Sequence, residues 1–302
     1  MNSKIMSKNI LITGANGKIA KAIIDILYKN NNLFLFSRNE SIVSANYKNK
    51  HNIFSFSYKN IETFNHKIDI ILHCAFERSQ DKEKLDASVR LSKQIANLAK
   101  KIDCERFINI SSQAVYNMIN SKSWCETDIP SPTDLYGAAK LEFENYIQYH
   151  LDCNKYINIR LSALTGPNYQ QHILHKFIDN AYTNNNIKLV GGSQKFLFLN
   201  FHDAINALML LFDLETKPKY NLYNIGNNEQ YGIIEMAEEV KKMLFKYNIP
   251  VKITVENKPI ILNVNMNSSR FMDEFKWKPR YNLSDSIKQI INENYNHEAG
   301  KN

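Results

Sequence analysis

Between Asn9 and Leu27 the chain switches from one hydrophobic period to another within a few residues, and few folds accept that switch. Asn9-Ile-Leu-Ile-Thr13 is a short, nearly continuous apolar run, the kind that forms a strand covered on both faces. Gly14-Ala-Asn-Gly17-Lys-Ile-Ala20 follows at once, and Ile19, Ile23, Ile26 and Leu27 then recur at helical spacing. Strand, glycine turn and helix in this order make a phosphate-binding loop. The backbone must approach a pyrophosphate closely, side chains would block it, and the helix N-terminus adds partial positive charge. Ala20 stands where a third glycine serves close helix–strand packing, which a methyl group tolerates. The loop nominates Gly14, Asn16, Gly17, Lys18 and Ile19 as dinucleotide-binding residues.

Further apolar runs at 33–36, 53–56, 68–72, 106–110 and 156–160 read as strands, and 85–101 reads as a helix. Nearly continuous apolar strands that alternate with helices predict an α/β protein: a Rossmann-type, doubly wound parallel sheet over residues 1–165. After Gly166-Pro167 the pattern loosens into helices at 174–182, 204–214, 233–244 and 283–292 and a strand at 251–255. Residues 166–302 therefore read as a smaller C-terminal α+β substrate lobe, with segments near 195–225 returning to the first domain.

With 302 residues the chain has room for one large α/β domain and such a lobe. Lys+Arg outnumber Asp+Glu by 38 to 30, but the lysines are scattered, with no arginine-rich block or aromatic-interleaved basic stripe. That argues against a nucleic-acid partner and suits a small anionic substrate such as a nucleotide ester, or a plain Lys/Asn-rich composition. Cys74, Cys104, Cys125 and Cys153 have no C-x-x-C spacing, so neither a metal site nor a disulfide framework is expected. His172, His175 and His202 lack ligand spacing and read as surface or packing residues. The polar, basic start and the absence of a long apolar run predict a cytoplasmic protein without membrane attachment.

Tyr136 and Lys140 lie four residues apart, about one helical turn, so phenol and ammonium can share a face. Ala139, Phe143 and Ile147 form the apolar stripe of that helix, with Lys140, Glu144 and Gln148 on a neighbouring polar one. A cation beside a tyrosine favours the phenolate and suits proton exchange with a substrate oxygen. Ser112 follows the fifth strand at its carboxyl end, where ligands bind in such folds, and can orient that oxygen. An acid after the second strand binds the 2′-hydroxyl of NAD, whereas an arginine accommodates the 2′-phosphate of NADP. Here Ser37-Arg38 is present and no acid occurs before Glu40, which favours NADP over NAD.

The glycine loop, Ser112, Tyr136 and Lys140, followed by Arg160-Leu-Ser-Ala-Leu-Thr-Gly166-Pro167, resemble the extended short-chain dehydrogenase/reductases. More narrowly, the chain looks like their NAD(P)-dependent nucleotide-sugar epimerase/dehydratase/reductase branch. Phe201-His-Asp203-Ala-Ile-Asn-Ala207, Tyr223-Asn-Ile-Gly226 and Phe275-Lys-Trp-Lys-Pro279 are similar to its later motifs. The resemblance implies that Tyr136 is the acid/base. Lys140 would bind the nicotinamide ribose and hold the phenol's pKa down, and Ser112, or failing it Ser111, would orient the reacting oxygen. It also implies a nucleotide-sugar substrate and a homodimer formed through helices like the one that starts at Tyr136. Dehydratases of the branch carry Thr-Asp-Glu where this chain has Ser112-Gln113-Ala114, which argues against water elimination. Asn117 replaces a usual glycine, Ser88 a common asparagine, and His73-Cys-Ala-Phe-Glu-Arg78 a smaller-residue loop. Lys195, Arg270 and Arg280 read either as diphosphate contacts or as surface charges. The expected activity is NADPH-dependent reduction of a 4-keto sugar nucleotide. The alternatives are an NAD-dependent C4 epimerase and a catalytically silent NAD(P)-binding regulator.

Overall fold

A computed structural model describes residues 7–119, 122–167, 169–170 and 172–295. The apolar runs become β1 (Asn9–Thr13), β2 (Asn32–Ser37), β3 (Ile53–Ser57), β4 (Ile70–His73), β5 (Arg106–Ser112) and β6 (Tyr156–Leu161). With a seventh strand, Leu222–Ile225, they form one parallel sheet. Its order places Leu222–Ile225 at one edge, followed by β6, β5, β4, β1, β2 and β3. Ile10 of β1 stands beside Leu33 of β2 and Ile70 of β4, and the register advances in step along all three strands. The strand order reverses between β1 and β4, which opens a crevice at their carboxyl ends. Helices α1 (Lys18–Leu27), α2 (Glu40–Tyr47), α3 (Lys82–Lys101) and α4 (Leu135–His150) belong to this part of the chain. Sequence periodicity missed α2 because that helix buries a single residue, Val43, and so carries no apolar stripe.

The chain divides into two compact units. The first comprises the chain up to Val115, Pro132–Arg160 and Leu208–Tyr223; the second comprises Tyr116–Ser131, Leu161–Ala207 and the chain from Asn224 onward. Within the first, buried Arg106 anchors the late segment. Its guanidinium donates to the carbonyls of Leu211, Asp213 and Thr216, each at 2.7 Å. Burial pushes the Arg106 pKa down, and Asp213 opposes the shift.

The second unit contains α5 (Ile173–Asn184), most of α6 (Phe201–Met209), α7 (Ile233–Phe245), α8 (Ser269–Phe275) and α9 (Leu283–Asn294). Asn186–Val190 pairs in parallel with Lys252–Glu256. Leu174, Phe177, Leu189, Met236, Val240 and Ile287 share its core. Two buried polar side chains set its turns. Asp203 accepts the N–H groups of Arg280 and Tyr281 at 3.0 Å each, and burial pushes its carboxyl up. Asn224 donates to the Trp124 and Asn267 carbonyls and accepts from the Tyr116 hydroxyl. Both lie in segments that resemble the family's later motifs, and both serve the fold here. The short strands Ala163–Thr165, Lys195–Phe196, Phe198–Asn200 and Tyr231–Gly232 escaped sequence reading, since two or three residues cannot display a period. Among the described residues no helix is long and apolar enough to cross a membrane.

Candidate active site

The glycine loop takes the shape that its sequence demands. Gly14 has φ +67°, and a Cβ there would lie 3.0 Å from the Ala75 backbone at the end of β4. Gly17 donates to the Gly14 carbonyl at 2.7 Å and would bring its own Cβ to 3.0 Å from that oxygen. Helix α1 starts at Gly17 with no side-chain cap and no acid in its first turn, as an anion-binding N-terminus requires. The Tyr58 hydroxyl accepts the Gly14 N–H at 2.8 Å and donates to the Phe36 carbonyl, tying the loop to β2 and β3. Asn16 Nδ2 donates to Ser37 Oγ at 2.7 Å, while its Oδ1 is buried without a partner. Gly14, Asn16, Gly17, Ser37, Arg38 and Phe76 line a cavity of about 620 Å³ within the first unit. A cradle that a single Cβ would fill, an uncapped helix start and an orphaned polar atom fit a dinucleotide's pyrophosphate and ribose. Gly14→Ala is expected to weaken dinucleotide binding by at least about tenfold and to cost about 1–3 kcal/mol of stability through left-handed strain. Calorimetric titration and urea unfolding read the two effects.

Beneath the loop, the hydrogen bonds assign a histidine tautomer. Thr13 Oγ1 accepts the N–H groups of Cys74 and Ala75 at 3.2 Å, so its own proton goes to His73 Nδ1 at 2.9 Å. His73 Nε2 then carries the proton and donates to Ser92 Oγ at 2.9 Å, which donates to the Ser88 carbonyl. The ring is locked neutral. Burial, aided by Lys140, lowers its pKa from 6.5 to about 3. The unfolded chain therefore takes up this proton at higher pH than the native one. The contribution of His73 is complete above 6.5 and is lost as pH falls towards about 3. The urea midpoint should fall over that window, with a shallower slope in His73→Gln.

Helix α4 starts at Asp134, whose carboxylate accepts the Gly137 N–H at 2.7 Å. Gly137 presses on the turn after β5; a Cβ there would lie 2.0 Å from the Ala114 carbonyl oxygen. This close approach brings Tyr136 beside Ser112, whose hydroxyl favours the ionised phenol. Lys140 is buried, donates to the Ile110 carbonyl at 2.7 Å and lies 3.9 Å from the centre of the Phe76 ring. Phe76 also meets the Tyr136 ring edge-on at 6.0 Å. The structure thus gathers Ser112, Tyr136 and Lys140, with Phe76 joining them to the lining of the cavity.

One expectation about this group changes. The Tyr136 pKa is raised rather than held down: burial pushes the phenol up, and Arg78 is the cation that opposes the shift. Burial lowers Lys140 itself to about 7, against Cys74 and Glu144. On the polar stripe of this helix, Lys140 and Glu144 are both buried, each 4% exposed. Glu144 receives a two-pronged contact from the buried Arg160 guanidinium, Nη2–Oε2 at 2.7 Å and Nε at 3.1 Å, and the Ser111 hydroxyl donates to it. Ser111 is therefore held in the framework, and Ser112 faces the phenol. Sequence reading passed over Gly137, Phe76 and Arg78. The only signal available was the oversized loop His73-Cys-Ala-Phe-Glu-Arg78.

Arg38 lies on the cavity wall and pairs with Glu77 at 3.1 Å. In the second unit Arg270 faces Glu126 at 3.7 Å, and Lys195 is an exposed residue of a two-residue strand. His172 accepts the Leu174 N–H at the start of α5, His175 bonds the Gly166 carbonyl, and His202 packs near Tyr281.

A parallel sheet with a glycine loop at its switch point and a Ser-Tyr-Lys group at the next carboxyl end defines a Rossmann-type dinucleotide-dependent enzyme. The chain belongs to the NAD dependent epimerase/dehydratase family, whose profile matches residues 10–226, and it is an enzyme of the extended short-chain dehydrogenase/reductase type. It is 24% identical over 315 residues to the dTDP-D-glucose 4,6-dehydratase of Bos taurus, a match covering 94% of this chain and 88% of that one. Its fold is similar to that of UDP-N-acetylglucosamine 4-epimerase from Bacillus cereus, with TM-score 0.78 and 19% identity over 94% of this chain and 98% of that one. It is also similar to UDP-glucuronic acid 4-epimerase from Bacillus cereus in complex with UDP-glucuronic acid and NAD, with TM-score 0.76 and 20% identity over 93% and 97%.

Proposed function

We propose that the protein is an NAD-dependent C4 epimerase of a nucleotide sugar. The observation that carries this reading is the Ser112–Tyr136 hydroxyl pair, set beside Gln113 and Ala114 in place of the two acids of a dehydratase. Gln113 is buried with its Oε1 unpartnered, and an amide can neither give nor take the proton that water elimination moves. The names of the similar proteins support the substrate class: among them are 4-epimerases of UDP-sugars, one described with NAD and UDP-glucuronic acid.

Gly14, Gly17 and the start of α1 would hold the pyrophosphate, and Asn16 and Ser37 would face the adenosine ribose. When bound, the nicotinamide supplies a hydride acceptor that can return the hydride to either face of the sugar. In its ionised form Tyr136 takes the proton of the C4 hydroxyl and gives it back to the ketone oxygen, which Ser112 orients. Arg78 favours the ionised phenol against the burial that keeps it protonated. Lys140, buried and titrating near neutrality, stands one turn below as the ribose donor.

A second reading, NADPH-dependent reduction of a 4-keto sugar nucleotide, draws support from Arg38 at the end of β2. The two differ in net redox change. Incubating the native chain with UDP-glucose or UDP-N-acetylglucosamine and catalytic NAD should interconvert the C4 epimers, read by NMR. Stoichiometric NADPH oxidation by a 4-keto sugar nucleotide, without epimerisation, would establish the reductase instead. A homodimer through α4, the helix that carries Tyr136, belongs to the same proposal. Sedimentation at monomer mass across micromolar concentrations would remove it.

A further inference from the structure

Two residues that the sequence does not connect meet on the wall of the cofactor cavity. Arg38 follows β2 and Glu77 lies in the loop after β4, the strands that flank β1 on either side. Arg38 Nη2 and Glu77 Oε2 are 3.1 Å apart, and both residues line the same cavity as Gly14 and Gly17. Glu77 is held from behind: its N–H donates to Ser88 Oγ at 3.1 Å, and Ser88 in turn donates to the Lys84 carbonyl within α3. Ser37, at the strand end where an acid would meet the ribose, is uncharged. Its hydroxyl accepts from Asn16 Nδ2 and from the Asn39 N–H at 3.1 Å. Among the described residues lining the cavity, Glu77 is the one carboxylate; the two cations are Arg38 and Lys84, and Lys84 pairs with Asp81.

An arginine at the end of the second strand accommodates a 2′-phosphate because it offers an uncommitted cation. A guanidinium already facing a carboxylate offers much less. A 2′-phosphate would have to displace Glu77 and then remain in one cavity with it. A 2′-hydroxyl meets neither obstacle and can donate to the carboxylate. We propose that Glu77 is the residue that determines cofactor choice, selecting NAD over NADP by committing Arg38 to an ion pair across the cavity wall. The inference rests on the dinucleotide reading of this cavity. The Arg38 side chain is 82% exposed, so the pair adds little to folding stability, and its charges can be changed without unfolding the loop.

The test is calorimetric titration of the full chain with NAD and with NADP, comparing the native protein, Glu77→Gln, and Glu77→Gln combined with Arg38→Ala. The native chain should prefer NAD. Glu77→Gln should shift the ratio of NADP to NAD affinity about tenfold towards NADP, a size between the water and protein-surface limits for two charges about 4 Å apart. Adding Arg38→Ala should abolish that gain. A purely structural role for Glu77 would weaken both dinucleotides equally and leave the ratio unmoved. A ratio within twofold of native, with NAD still bound, overturns the assignment of Glu77 alone. Failure of the native chain to bind either dinucleotide overturns it together with the reading of the cavity.

Discussion

Tyr136→Phe is expected to lower kcat for C4 epimerisation by about 10²–10⁴-fold, the range for a lost general acid–base group, with NAD affinity within about threefold of native. The substitution removes one oxygen from a ring that meets Phe76 edge-on and leaves the ring contact in place, so the pocket keeps its shape. The separation matters, because loss of turnover with intact binding isolates the proton-transfer role from cofactor anchoring. NMR of the C4-epimeric nucleotide sugars measures the first quantity and calorimetric titration the second. Survival of full turnover would leave the fold assignment in place and strip Tyr136 of its chemistry. A chain with no turnover in the native form, but with dinucleotide-dependent cellular function, would be the silent regulator.

The largest stability effect is expected at Glu144. Glu144→Ala leaves the buried Arg160 guanidinium without its counter-charge and should cost about 3–5 kcal/mol in urea unfolding. The pair joins α4 to β6, and through the Ser111 hydroxyl it also reaches β5, directly before Ser112. Replacing both partners by methionine should recover most of the loss, because two apolar side chains leave no orphaned charge. A cost below about 1 kcal/mol for Glu144→Ala would show that the guanidinium finds water or another partner. The same carboxylate raises the Lys140 pKa against burial, so its loss should move that ammonium further down. Lys140 contributes a slope of its own. The unfolded chain holds its proton up to about 10.5 and the native chain only to about 7, so stability rises with pH across that interval.

Much of this architecture could be read one residue at a time. β1, the glycine turn and α1 follow from an apolar run, two glycines and a helical period, all within twenty residues of one another. The sheet strands were legible because a strand covered on both faces is apolar along its length, and α3 was legible because its apolar stripe repeats over five turns. Ser112, Tyr136 and Lys140 were legible by type and order. The same local logic did not reveal that Lys140 and Glu144 are buried. A polar side chain on a helix reads as solvent-facing unless its partner is known, and Arg160 arrives only after the helix has ended. It failed likewise for Arg38, a free cation in sequence and a paired one in space.

The sequence by itself determined the Rossmann-type sheet, the position of the phosphate loop and the three residues of the candidate catalytic group. These rest on periodicity and on steric demands that short stretches express on their own. Only the tertiary structure decided the rest. It carried Tyr116–Ser131 into the second unit and clamped the Leu208–Tyr223 return to Arg106. It set the Tyr136 and Lys140 pKa values by burial rather than by their mutual spacing. It also placed a carboxylate from the β4 loop against the arginine that follows β2. Burial and long-range charge pairing depend on which strands become neighbours, and the strand between β2 and β4 in the sheet is the first in the chain.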